Sequence, residues 1–112
     1  MSGEANAAGF VFSEHWQDNK NQPTGGVTSG RGFLINWQNG PLRVDGERRE
    51  PNGAFVEDII TAAQNRLKYY QQSIFNCAEN AEAIHYLEKA LAVLRYRTAK
   101  REAKGIEGTY EM

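Results

Sequence analysis

The sequence predicts an α+β fold, in which a small β-hairpin or antiparallel sheet region precedes a long antiparallel αα-hairpin. Three observations predict it. Phe33-Leu34-Ile35-Asn36-Trp37-Gln38 has the aromatic and β-branched character that strands favour. Asn39-Gly40 follows it, a strong hairpin signal because both residues tolerate positive φ. From Gly53 onwards, apolar residues recur every three or four positions, as on an amphipathic helix.

Taken in order, residues 1–25 are small and polar and show no sustained period. They predict an irregular N-terminal arm, anchored by Phe10, Phe12 and Trp16. Residues 26–112 read as a single domain. Within it, residues 26–50 hold the strands: the run at 33–38, a returning strand at Leu42-Arg43-Val44, and a further turn at Asp45-Gly46. Gly25-Gly26 and Gly30-Arg31-Gly32 are glycine-rich. They do not lie between a clear strand and a helix start, so a flexible turn is expected rather than a phosphate loop.

Pro51-Asn52 precedes a helix over 53–72, with Asn52 or Gly53 as its cap. Phe55, Val56, Ile59, Ile60, Ala63, Leu67 and Tyr70 form its apolar stripe. Gln71 to Asn76 is a short connector. A second helix is expected over 78–104, where Ile84, Leu87, Leu91 and Leu94 step by three, four and three. Lys100, Arg101 and Lys104 make a basic last turn, and Gly105 sits where a C′ glycine would end the helix. Residues 105–112 form a tail. Two helices and two strands bury little, since an isolated hairpin is marginal. A homo-oligomer, a dimer or an assembly of dimers, is the expected remedy. Ala81, Ala83, Ala90 and Ala92 would let another helix approach closely.

Composition excludes several functions. Thirteen basic residues face fourteen acidic ones, so the net charge of −1 lacks the basic excess of a general DNA binder. No apolar run approaches the roughly 20 residues of a membrane helix. The start MSGEANAAGF has neither the basic nor the apolar region of a secretion signal, so a cytoplasmic chain is expected. Cys77 is the single cysteine, which suits a reducing compartment. No enzyme motif is present: there is no Walker-type phosphate loop and no HExxH pair. His85 flanks the helix seam and has no evident partner as a base or metal ligand. Cys77 near a helix start reads as a small apolar residue. No catalytic residue, metal or cofactor is therefore expected.

The informative constellation is Tyr70, Asn80, Arg97 and Arg101. Arg97 and Arg101 are four apart, so their guanidinium forks project from successive turns and suit a phosphate or pyrophosphate. Tyr70 and Asn80 bracket the helix connector. A tyrosine ring can stack on a base, and an amide can bond an adenine edge or a ribose hydroxyl. The same residues also admit a structural reading, as a surface arginine pair and a core tyrosine. Asn80 and Arg97 lie 17 residues apart on one helix, which is roughly 25 Å at 1.5 Å per residue. One small ligand touching both needs the helix start of one protomer beside the helix end of another. Antiparallel pairing of second helices would create two identical pockets per dimer.

The segments GAFVEDIITAAQNRLKYYQ (53–71), FNCAENAEAIHYLEKAL (75–91) and RTAKREAKGIEGTY (97–110), with RGFLINWQNGPL (31–42), resemble the Thoeris anti-defence family. These are phage-encoded sponge proteins, related through their helical hairpin to anti-CBASS cyclic-dinucleotide sponges. The resemblance covers roughly residues 26–110. It implies binding, without cleavage, of a cyclic ADP-ribose isomer (gcADPR) made by bacterial TIR-domain proteins, in the cytoplasm of the bacterial host. It also implies ligand-binding roles for the aromatic Tyr70, for Asn80 and for the arginines Arg97 and Arg101. Two departures stand out. The aromatic is tyrosine where phenylalanine is also expected, so its hydroxyl needs a partner. The tail has Tyr110 after its threonine, where histidine looks commoner.

Rival readings remain open from the sequence. One is a sponge for cyclic di- or trinucleotides that uses Arg31, Arg43, Arg48 and Arg49. Another is a structural phage interaction protein whose arginines bridge subunits. An enzyme that degrades the signal is the weakest, because no base, metal set or nucleophile is seen.

Overall fold

The computed structural model describes Glu4–Ala5, residues 10–40, 42–44 and 46–103. Strands β1 (Glu4–Ala5), β2 (Phe12–Gln17), β3 (Pro23–Gly30) and β4 (Phe33–Trp37) form one antiparallel sheet in that order. Strands β5 (Arg43–Val44) and β6 (Glu47–Arg48) form a separate pair. Helices α1 (Val56–Gln71) and α2 (Ala78–Ala103) follow. The α+β class read from the sequence is what the chain adopts. The chain divides into two compact units with the boundary between Phe55 and Val56, inside the stretch read as one domain over 26–112.

The stretch 1–25 is not simply an irregular arm. Phe12–Gln17 is a strand paired along β3, with Phe12 opposite Ser29 and His15 opposite Gly26. The link between them is closed by Asp18. Its carboxylate accepts the backbone N–H groups of Lys20 and Gln22 at 2.8 and 3.0 Å. Asn21 stands at φ 62°, which asparagine tolerates better than most residues.

The glycine-rich segment is a central strand. Thr28 is its buried polar hub. Trp37 Nε1–H donates to Thr28 Oγ1 at 2.8 Å, and the Ser13 and Thr28 hydroxyls lie 3.0 Å apart. One hydrogen-bonded chain thus links β2, β3 and β4. Gly26, at φ 140°, is buried where an added Cβ would run into the Glu14 carbonyl oxygen. Glycine is needed there because the register shifts between His15 and Gln17 and the backbones close in.

The expected hairpin across Asn39-Gly40-Pro41 does not form. Strand β4 pairs with β3, around the turn at Arg31-Gly32. Arg43 and Val44 pair instead with Arg48 and Glu47, around the turn expected near Gly46, whose φ is 81°. Pro41 and Asp45 lie outside the described residues. The chain after β4 is held by Asn52 rather than by a returning strand. Asn39 N–H donates to Asn52 Oδ1 at 2.8 Å, and Asn52 Nδ2 donates to the Asn39 carbonyl at 2.9 Å. Gln38 Oε1 accepts Asn52 N–H at 2.9 Å. Ala54 then makes a parallel bridge with Trp37.

That clasp explains why α1 starts at Val56 rather than at residue 53. Asn52 spends its side chain on Asn39 and does not cap a helix. Gly53 passes so close to Trp37 that a Cβ would lie 2.6 Å from its carbonyl carbon. Glu57 and Asp58 in the first turn of α1 complement the helix dipole.

The helical unit follows its seam more faithfully. Leu91 is buried, and Ile84, Leu87 and Leu94 are half-buried. On α1 the buried position is Gln64, whereas Ala63 of the expected stripe is exposed. Gly105 and the tail 105–112 lie outside the described residues. Among the described residues only Leu42 and Leu91 are buried apolar side chains. No described helix is long and apolar enough to cross a membrane.

Candidate functional site

The turn between the helices is tied down by its own side chains. Gln71 on the last turn of α1 reaches across to Cys77. Its Nε2 donates to the Cys77 carbonyl and its Oε1 accepts the Cys77 N–H, both at 3.0 Å. Ser73 Oγ donates to the Tyr70 carbonyl at 2.6 Å and accepts the Phe75 N–H at 3.1 Å. Asn76 Nδ2 donates to the Ser73 carbonyl at 2.7 Å. The Tyr69 and Tyr70 carbonyls at the end of α1 are satisfied by the backbone N–H groups of Gln72 and Ser73 and by Ser73 Oγ, without a terminal glycine.

This scaffold sets Tyr70 and Asn80 at one end of the unit. Asn80 Nδ2 donates to the Phe75 carbonyl at 3.1 Å, which leaves Oδ1 as an acceptor. The Phe75 ring meets the half-buried Tyr70 ring edge-on, with centroids 6.5 Å apart and planes at 78°. Tyr69 lies beside it at 6.1 Å. The Arg66 guanidinium stands 5.0 Å from both tyrosine ring centroids. The adjoining Tyr70 side chain holds its proton more tightly than in an ordinary arginine. Ile74 and Phe75 at the tip are 89% and 67% exposed, so the aromatic cluster is open to a ligand.

Arg97 and Arg101 occupy the far end of α2. Arg97 Nη2 lies 3.6 Å from Glu57 Oε2 at the start of α1. Both side chains are solvent-accessible, so that pair contributes only about 0–1 kcal/mol. Arg101 is half-buried. A single chain therefore sets Tyr70 and Asn80 at the connector end of the helices and Arg97 and Arg101 at the far end of α2, not the two pairs together. Asn80, Ala83, Leu87, Ala90, Leu94, Arg97 and Arg101 are spaced three, four, three, four, three and four along one flank of α2. Small alanines stand in its middle and polar groups at its ends.

The other residues noted in the sequence are placed as follows. His85 and Cys77 are exposed. Among the described residues no group of His, Cys, Asp and Glu is large enough to hold a metal ion. Arg31 lies 4.2 Å over the Phe10 ring. Arg48 and Arg49 are exposed, and the Arg43 side chain lies outside the described residues. A groove of about 400 Å³ on the helical unit is lined by Gln64, Lys68, Glu88, Leu91 and Arg95, and includes none of the four constellation residues. Sequence reasoning missed Arg66, Gln71 and Phe75. Arg66 had a signal, since it is four residues before Tyr70. The Gln71 clasp had none.

No protein-family model matches the chain. A protein of Bacillus phage SBSphiJ7 named Thoeris anti-defense 1 is 47% identical over 83 residues, covering 74% of the chain. The chain belongs to the Thoeris anti-defence family. Membership agrees with the family resemblance read from the sequence. The match covers 56% of the relative's own length, so this chain spans little more than half of that member of the family.

Proposed function

We propose that this protein counteracts Thoeris defence by sequestering a cyclic ADP-ribose isomer, gcADPR, in the bacterial host cytoplasm, without cleaving it. The observation that carries this reading is the flank of α2, with Asn80 at one end and Arg97 and Arg101 at the other. Two such helices paired antiparallel put the amide and aromatic of one protomer against the arginines of its mate. Each dimer then holds two equivalent pockets.

Each residue has a separate task. Tyr70 stacks on the adenine, worth about 1–3 kcal/mol per base. Asn80 keeps Oδ1 available for an amino group on the base edge. Arg97 and Arg101 grip the pyrophosphate with charge-assisted, two-pronged hydrogen bonds. The exposed Arg97–Glu57 pair is weak enough for a doubly charged pyrophosphate to displace. None of the four is a nucleophile paired with a base, which favours holding over hydrolysis. Depleting a signal calls for nM affinity, about −12 kcal/mol.

Oligomerisation is supported by what one chain leaves exposed. Tyr86, Val93 and Tyr96 on α2 are 59%, 68% and 66% accessible, a costly arrangement unless another surface covers them. The deciding experiment exposes purified protein to extract from cells with active TIR signalling, heats it, and identifies what is released. Intact gcADPR in stoichiometric amount is expected. Release of a linear ADP-ribose product, or of nothing, would overturn sequestration.

A further inference from the structure

We propose that Arg66 is the positioning residue for Tyr70, fixing the ring on which the captured base stacks. This rests on the sequestration reading and adds a residue to it. Arg66 precedes Tyr70 by one helical turn, the spacing at which side chains meet along a helix. Its guanidinium stands 5.0 Å from the Tyr70 centroid, within cation–π range.

Two restraints then act on one ring: the guanidinium 5.0 Å from its centroid and the Phe75 ring at 6.5 Å. Fixing the rotamer in advance removes an ordering cost otherwise met on binding, which corresponds to about 2- to 10-fold in affinity. Preorganisation of this kind lowers the dissociation rate of the ligand. Charge alone would act mainly on the association rate. Lysine in place of Arg66 keeps the charge but loses the planar fork.

The test uses the full-length protein with synthetic gcADPR as probe. Association and dissociation rates are measured for wild type, Arg66→Gln, Arg66→Lys, Tyr70→Phe and the Arg66→Gln/Tyr70→Phe double variant. Arg66 is exposed, so all variants should fold with melting temperatures near wild type in the absence of ligand. Arg66→Gln and Arg66→Lys are expected to raise the dissociation rate about 2- to 10-fold. Arg66→Lys should keep a near-wild-type association rate. In the Tyr70→Phe background the effect of Arg66→Gln should persist, because the guanidinium acts on the ring and phenylalanine keeps the ring. Equal dissociation rates in wild type and both Arg66 variants, or an effect of Arg66→Gln that vanishes in the Tyr70→Phe background, would overturn the role of Arg66 and leave sequestration standing. A wild-type protein that binds no gcADPR would overturn sequestration itself, and the role of Arg66 with it.

Discussion

Arg101→Ala is expected to lose most of the rise in melting temperature that gcADPR gives the wild-type protein. A ligand at a thousand times its Kd stabilises the folded state by about 4 kcal/mol. Truncating one partner of a desolvated charge pair costs about 2–5 kcal/mol of binding. The residual stabilisation at the same gcADPR concentration is then about 2 kcal/mol or less. Arg101 is half-buried on the last turn of α2, so the variant should fold without ligand much as wild type does. Differential scanning fluorimetry with and without gcADPR reads the effect. Equal shifts in both proteins would remove Arg101 from the site.

Leu91→Ala should produce the largest loss of stability of any single truncation in α2. Leu91 is 3% exposed, and within the described helical unit it is the buried apolar side chain. Leu→Ala at such a site costs about 2–5 kcal/mol through lost transfer energy and the cavity left behind. For a small domain each kcal/mol lowers Tm by about 4–8 °C. A fall of roughly 10 °C or more is therefore expected. Ala92→Ser, next to it on the exposed side, should change Tm little. If Leu91→Ala melts with wild type, the seam around Leu91 does not hold the helices together.

The helices were legible because their period is self-consistent over many residues. Ile84, Leu87, Leu91 and Leu94 specify one face, and no local feature competes with them. The sheet was less legible because its middle strand is built from residues that strands usually avoid. Pro23-Thr24-Gly25-Gly26 looks like a loop until partners on both sides make its hydrogen bonds. Asn39-Gly40 misled for a related reason. The local turn preference is real, but Asn52, thirteen residues later, captures Asn39 from the side chain, and no local pattern encodes that. The same capture moved the start of α1 to Val56. Gln64 was missed because burial of a polar side chain runs against the apolar periodicity.

The candidate site divides in the same way. Spacing alone places Arg97 and Arg101 on one flank of a helix, and puts Tyr70 and Asn80 at a helix connector. What spacing could not give is the shape of that connector. The Gln71 clasp on Cys77, the Ser73 bonds and the Asn80 bond to the Phe75 carbonyl are specific closures between nearby residues. They close a six-residue link with side-chain hydrogen bonds. Nor does spacing show that the Arg66 guanidinium stands 5.0 Å from the Tyr70 ring centroid.

Mixing two weakened variants addresses the shared pocket most directly. Tyr70→Leu and Arg101→Ala proteins, each binding gcADPR well below wild-type affinity alone, are unfolded and refolded together at equal concentration. Half the resulting dimers are mixed, and each mixed dimer rebuilds one whole pocket from the intact halves of its two chains. Calorimetry with gcADPR should recover about a quarter of the wild-type sites at near-wild-type affinity. If the mixture forms mixed dimers yet shows no sites of near-wild-type affinity, the aromatic and the arginines do not meet across two chains.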